Sequence, residues 1–272
     1  MPVSFAQALE DVLLFRALGT IEAGFYIDVG ANDPITDSVT RMFYDLGWSG
    51  INIEAAPFWH GKLVKDRPRD INLNVAASDQ SGTLTFHEIE DSGLSTSSAD
   101  FAARHTASGF RRRSYEVQAD TLKAICEAHV AGPIHFLKID VEGAEEAVIR
   151  GADFKNFRPW IILVEATEPL SNVQTHGSWD PLLTAANYEF MIFDGLNRFY
   201  VAREHPELKP FFCAKADDYE RITAVWTRGH WENVAREREI ELVRLGNELA
   251  ELKEKFERTK ESIRRLVDME EG

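Results

Sequence analysis

The chain is poor in cysteine, has no long apolar run, and lacks a glycine-rich phosphate loop. Its two cysteines among 272 residues, Cys126 and Cys213, rule out a disulfide framework and have no metal-ligand spacing. Cys126 lies in the helical pattern LKAICEAH, where a buried structural thiol is expected. A reducing cytoplasm suits this usage. No apolar stretch approaches the roughly 18 residues of a membrane span, and the N-terminus, MPVSFAQALEDVLLFRALG, carries acids within its apolar stretch and no basic lead, unlike a signal peptide. With 30 Lys and Arg against 45 Asp and Glu, the net charge is −15. That argues against a general polyanion binder such as a nucleic-acid-binding protein, which needs a basic face. The single basic run, Arg111 to Ser114, reads as a solvated loop or, less simply, as a contact to a phosphorylated or acidic substrate. Glycine and proline nearly vanish after Asp217, which marks a second kind of polymer there.

The residues before about 215 alternate strand-like and helix-like segments, as βαβ units do. Strands are expected at 25–30, 50–55, 71–78, 135–141, 161–167, 188–194 and 198–203, and helices at 36–46, 58–66, 120–129, 143–150 and 179–186. Several strands are continuous apolar runs, as in a sheet covered on both faces. Asp194 to Asn197, DGLN, has hairpin chemistry, so the sheet should be mostly parallel with an antiparallel ending. The apolar pattern of residues 5–13 predicts a further helix packed on the core. Residues Gly82 to Arg113 fit neither pattern and suggest a cover over an active site.

The first strand runs into Asp28-Val29-Gly30-Ala31-Asn32-Asp33. A dinucleotide pyrophosphate needs G-x-G-x-x-G at this position, so that bare backbone N–H groups can approach it. One glycine with two carboxylates would repel a pyrophosphate. Those acids suit S-adenosylmethionine, which carries an amino group and a sulfonium. Glu54, ending the second strand, can accept from both ribose hydroxyls, and Asp79, after the third, from the adenine amino group.

The phrases FYIDVGANDP, DSVT, GWSGINIEA, RPRDINLNVAASD, LKIDVEGAE and FDGLNRFYVA resemble the FkbM family of S-adenosylmethionine-dependent O-methyltransferases, over about residues 5–212. The resemblance implies the seven-stranded, Rossmann-like class I methyltransferase fold, with Asp28, Gly30, Asn32, Ser38, Glu54 and Asp79 as cofactor residues. It also implies methylation of a hydroxyl of a sugar or of a polyketide-type product, and the DGLNRFYVA variant resembles members found with glycosyltransferase machinery in assembly of a bacterial surface polysaccharide such as an O-antigen, which makes a sugar hydroxyl the expected acceptor. Where many relatives read Glu-Pro, this chain has Glu54-Ala55.

For the acceptor, Asp140 and Glu142 end the fourth strand, Glu165 ends the fifth, and His176 precedes a helix. Either a base acts alone, His176 or Asp140 with Glu165 nearby, or Asp140, Glu142 and Glu165 hold a divalent cation such as Mg2+ that acidifies the hydroxyl. Glu142 could instead cap the next helix, and Lys138 could neutralise Asp140. His87 is a third choice of base. Leu94-Ser95-Thr96 resembles a family motif near the acceptor or is a loop tip. Gln7, Glu10 and Asp11 are either lid residues or a solvated helix face.

From Trp231 the apolar residues follow a heptad, with a positions Ala235, Leu242, Leu249, Phe256 and Ile263. Trp231, Arg238, Leu245, Leu252, Thr259 and Leu266 occupy d. This spacing predicts a coiled coil and a homo-oligomer, dimer or trimer, with 1–215 as the catalytic domain, 216–230 as connector and 231–272 as the coil. The coil could dock the enzyme to a membrane-associated polymerase, peripheral to the inner membrane. The rival reading is a non-catalytic, methyltransferase-like scaffold that presents the coil.

Overall fold

The computed structural model describes residues 3–212 except 90–94, 108–110, 169–170 and 172. Beyond these it describes six helical positions, residues 246, 249, 253, 255, 256 and 260. The helix α1 (Glu10–Leu18) leads into β1 (Phe25–Val29), α2 (Arg41–Asp45), β2 (Ser49–Ile53), α3 (Pro57–Asp66), β3 (Ile71–Leu73) and β4 (Ala76–Ser78). Next come β5 (Gly82–Ile89), α4 (Ala99–Ala107), β6 (Arg112–Thr121), α5 (Leu122–His129), β7 (Phe136–Ile139) and α6 (Glu145–Arg150). The chain then forms β8 (Ile161–Glu165), α7 (Asp180–Ala185), β9 (Tyr188–Phe193) and β10 (Asn197–Ala202).

Seven strands form one sheet in the order β3-β2-β1-β7-β8-β10-β9. All run parallel except β10, which is antiparallel to both neighbours. Alternate residues of each strand enter opposite cores. Ile27, Val29, Ile51, Leu137 and Ile139 pack with α5 and α6 on one face. Tyr26, Phe136, Leu163 and Phe199 pack with Leu14 and Leu18 of α1 and with Phe43 and Trp48 on the other. Both faces are therefore dry, which accounts for the unbroken apolar runs. The hairpin forms as expected: Asp194 Oδ1 accepts from the N–H groups of Leu196 and Asn197 at 2.8 and 2.6 Å, and Gly195 takes φ 109°.

Several boundaries differ from the sequence expectation. The segment 71–78 is two strands, because Asn74 turns its amide onto the carbonyls of Glu54 and Ala55 at 2.9 and 3.0 Å. β4 then leaves for a second sheet of order β4-β6-β5. The helix expected from 36 starts only at Arg41. Asp33 Oδ1 accepts from the N–H groups of Ile35 and Thr36, and Asp37 has φ 56°, so local side-chain bonding holds a turn there. The run Arg111 to Ser114 enters β6 and is not a loop. β6 extends to Thr121, whose hydroxyl accepts from Ala124 N–H at 3.1 Å and starts α5 at Leu122.

Cys126 is buried as expected, and burial pushes its thiol up to about 12. Among the described residues no helix is long and apolar enough to cross a membrane. The chain divides into two units, Met1–Ile222 and Thr223–Gly272. Cys213, the connector and nearly all of the heptad lie outside the described residues.

Candidate functional site

Parallel register builds the site. Val29 lies level with Ile53 on one side and with Ile139 on the other, and Ile139 lies level with Val164. The next residue of each strand therefore falls in one row along the C-terminal edge: Glu54, Gly30, Asp140 and Glu165. The chain order reverses between β1 and β7, the switch point where open α/β sheets hold ligands. A cavity of about 1000 Å³ opens there, lined among others by Gly30, Asn32, Glu54, Lys138, Asp140 and Glu142.

Gly30 is required by geometry. Its φ is 77°, and a Cβ at this position would lie 1.7 Å from the carbonyl oxygen of Asp140. The two strand-end turns approach that closely only over a bare Cα. Asn32 also takes positive φ, 51°, and its N–H donates to Glu54 Oε2 at 2.8 Å. Ala56 N–H donates to Oε1 at 2.7 Å. Each carboxylate oxygen thus has one backbone partner and a second lone pair for a ligand. Burial nonetheless pushes Glu54 up to about 7 against those two hydrogen bonds.

The acids expected as acceptor residues do converge. Asp140, Glu142 and Glu165 each offer an oxygen within 4.8 Å of the others. Burial, then repulsion by Asp140, pushes Glu142 up to about 9 and Glu165 well above the carboxylate range. Lys138 stands 3.1 Å from Asp140 and 3.5 Å from Asp28. Burial opposes its charge, but these two acids outweigh burial and raise its pKa. The neutralisation expected of Lys138 is present. The capping expected of Glu142 is not, since Glu145 accepts from the N–H groups of Val141 and Gly143 at 3.3 and 2.9 Å. Glu142 instead takes φ 54°, and Thr96 of the insertion donates to its carbonyl at 2.7 Å. Thr96 is fully buried, so this part of the insertion is packed, and Ser95 lines the cavity.

Several expected site residues lie outside the cavity lining. Asp28 is below the cavity floor, 1% exposed, accepting from Thr40 Oγ1 at 2.9 Å and facing Lys138. Ser38 is buried beneath the turn, where Arg67 donates to its hydroxyl at 3.1 Å. Arg67 is itself fully buried, and it also donates to the carbonyl of Pro34. Asp79 is exposed beyond β4 and outside the lining, which takes Val75, Ala76 and Ala77 instead. His176 occupies a short 3-10 turn, its ring 6.3 Å from Trp179, and does not line the cavity. His87 is engaged by Ser114 at 2.8 Å.

The N-terminal acids are neither exposed nor both in the site. Asp11 is fully buried and ties Ser4, Phe5 and Ala6. Gln7 and Glu10 line the cavity, and Glu10 accepts from Asn197 Nδ2 at 2.8 Å. Sequence reasoning missed Phe58, Trp59 and Lys62 on α3, which form one wall. Their signal was the PFWHGK run directly after the Glu54 turn.

Residues 28–190 match the model of the methyltransferase FkbM domain. The chain belongs to the FkbM methyltransferase family. The row Glu54, Gly30, Asp140 and Glu165 thus stands within the FkbM domain. No curated protein matches the chain. Among solved structures, it is similar to magnesium protoporphyrin IX methyltransferase from Synechocystis PCC 6803 with bound SAM: TM-score 0.38, 8% identity, 72% of this chain and 78% of that one. It is also similar to a conserved hypothetical protein of Streptococcus pyogenes: TM-score 0.33, 12% identity, 70% of this chain and 96% of that one.

Proposed function

We propose that this FkbM domain is an S-adenosylmethionine-dependent O-methyltransferase acting on a sugar hydroxyl of a bacterial surface glycan. The observation that carries the cofactor assignment is Glu54: two open lone pairs on one carboxylate, at the switch point, match a ribose diol. The Gly30 turn supports it, because the cavity around that turn has seven acids against four bases in its lining and no glycine-rich anion cradle. That lining disfavours a pyrophosphate and favours a ligand with an ammonium and a sulfonium.

The bound cofactor supplies an electrophilic methyl group. The protein must then hold an acceptor oxygen in line with it and take the hydroxyl proton. Glu142 and Glu165 hold their protons near neutrality because of burial. Asp140, whose side chain is 31% exposed, is the member of the cluster assigned as proton acceptor, and Lys138 beside it steadies the charge it carries. As the oxygen–carbon bond forms, the proton passes to the Asp140 carboxylate.

A second reading is favoured by one observation. Glu142 Oε2 is buried without a hydrogen-bond partner among the described residues, and it belongs to the triad that could bind a cation. Asp140, Glu142 and Glu165 would hold a divalent ion there, with Mg2+ the fit for an all-oxygen set. Added Mg2+ should then raise the melting temperature of wild type and not of Glu142→Gln; equal responses remove this reading.

The test of the main proposal uses methyl-labelled S-adenosylmethionine and the polysaccharide of a strain lacking this gene. The expected result is alkali-stable label in carbohydrate, lost with Asp140→Asn although that variant still binds S-adenosylhomocysteine. Alkali-labile label, or label only in protein, contradicts a sugar ether. A dimer or trimer through the 231–272 heptad accompanies the proposal, and sedimentation with and without that segment tests it.

A further inference from the structure

The segment leading into α1 is folded around two buried carboxylates. Asp11 accepts from the Ser4 hydroxyl and from the N–H groups of Phe5 and Ala6, at 2.7, 2.8 and 3.3 Å. Glu10 accepts from Ala8 N–H at 2.8 Å. Leu9 beside it takes φ 64°, a conformation that a bulky side chain holds only when its surroundings impose it. Ser4, Ala6, Glu10 and Asp11 are all buried. From Ser4 to Leu14, Gln7 is the exposed residue, and it lines the cavity. Its side-chain amide has no hydrogen-bond partner among the described residues. Strand register fixes which end of the cavity this turn roofs. Asn197 donates to Glu10 Oε1 at 2.8 Å and lies level with Glu165 of β8. The turn therefore sits over the β8–β10 side of the row of strand ends, away from Glu54 on β2. Leu196, next to Asn197 in the hairpin, is half-buried and also lines the cavity. With the cofactor's ribose assigned to Glu54 and the proton acceptor to Asp140, this side is the space left for the acceptor.

Resting on the methyltransferase reading, we infer that Gln7 and Leu196 form the wall that binds the acceptor sugar: the Gln7 amide hydrogen-bonds its non-reacting hydroxyls, and Leu196 packs on the apolar face of its ring. A carboxamide both donates and accepts, as each sugar hydroxyl does. A sugar ring combines a rim of hydroxyls with a face of C–H groups, and an amide beside a leucine complements both. The Glu10–Asn197 hydrogen bond ties the turn to the hairpin, so the two side chains are held together before the sugar arrives, which lowers the entropy cost of binding. The strained turn at Leu9 is what projects the amide over the cavity. Neither residue is charged, and the wall therefore suits an uncharged sugar unit.

The experiment compares the full chain with Gln7→Met and Leu196→Ala. Methionine keeps the length of Gln7 and removes its hydrogen-bonding groups, and the Gln7 side chain is exposed, so folding is not at stake in that variant. Calorimetry first measures S-adenosylhomocysteine binding to each protein. Transfer from methyl-labelled S-adenosylmethionine to the polysaccharide of a strain lacking this gene is then followed over a range of polysaccharide concentrations. The expected result is S-adenosylhomocysteine affinity equal within twofold in all three proteins. KM for the polysaccharide should rise roughly five- to tenfold in each variant, the loss of one or two neutral contacts, while kcat changes less than twofold. The inference is overturned if either variant keeps the wild-type KM, or if the loss falls on kcat with KM unchanged. It also falls if Gln7→Met loses S-adenosylhomocysteine, because the amide would then hold the cofactor. A wild type that binds S-adenosylhomocysteine but does not label the polysaccharide removes the sugar acceptor, and this inference with it. A wild type that does not bind S-adenosylhomocysteine overturns the methyltransferase reading itself.

Discussion

Replacing Glu54 with glutamine exchanges one of two acceptor oxygens for an NH2 group while leaving shape almost unchanged. Both oxygens of Glu54 already accept a backbone N–H, from Asn32 and Ala56, so the new NH2 must face one of those donors. A buried donor left facing a donor costs about 1–3 kcal/mol, and each kcal/mol lowers the melting temperature of a domain this size by roughly 2–4 °C. The variant also loses one acceptor for the ribose diol. A hydrogen bond to a charged group contributes about 1.5–3 kcal/mol, which is a roughly 10- to 100-fold weaker Kd for S-adenosylhomocysteine. The pH dependence is a second handle. Because burial holds Glu54 at about 7, its acceptor form is the minority at pH 6 and the majority at pH 8. Affinity in wild type should rise about tenfold over that interval, and this rise should be missing in the glutamine variant. Calorimetry at pH 6, 7 and 8 on both proteins, with thermal unfolding beside it, reads all of these quantities. A glutamine variant that binds within twofold of wild type, with the same pH profile, would refute the assignment of Glu54.

Gly30→Ala places a Cβ 1.7 Å from the Asp140 carbonyl at a positive φ; it should lower the melting temperature by many degrees or prevent folding, and a stable variant with unchanged binding would contradict the close approach. Arg67→Met removes the buried cation 4.0 Å from Asp70, which keeps hydrogen bonds from Tyr26, Gly50 and Asn52 but loses its counter-charge, and it leaves the Pro34 carbonyl without its guanidinium donor, so denaturant unfolding should show a loss of about 3–5 kcal/mol. Glu10 is pushed from 4.5 up to about 8, by burial and then by Asp194. The folded state therefore keeps a proton that the unfolded state has released, and stability should fall as pH rises from about 4.5 through about 8, by a few kcal/mol. Glu10→Gln should flatten that slope in denaturant titrations at pH 5, 6.5 and 8, and an unchanged slope would show that Glu10 is not its source.

Features of the fold that rest on periodicity were legible in the chain. The runs FYIDV, GINI, FLKI and IILVE mark strands dry on both faces, and DGLN marks the hairpin. The carboxylates Glu54, Asp140 and Glu165 were legible as a row because parallel register carries strand ends to one edge. What sequence did not disclose depends on partners distant along the chain. Asp28 reads as a pocket acid until Lys138, 110 residues on, draws it under the floor. Ser38 belongs to a recognisable DSVT segment, yet Arg67 holds its hydroxyl from beneath. The break after Leu73 needs Asn74 to find the carbonyls of Glu54 and Ala55. Arg112 and Arg113 of the insertion could not be assigned to opposite faces until the β5–β6 register was known.

The most direct test of the account is calorimetric titration of the wild-type protein with S-adenosylhomocysteine and, separately, with NAD. The account predicts one S-adenosylhomocysteine site per chain and no measurable heat with NAD, since the Gly30 turn lacks a pyrophosphate cradle. No binding of S-adenosylhomocysteine to the folded protein, or binding of NAD at the same cavity, would contradict it.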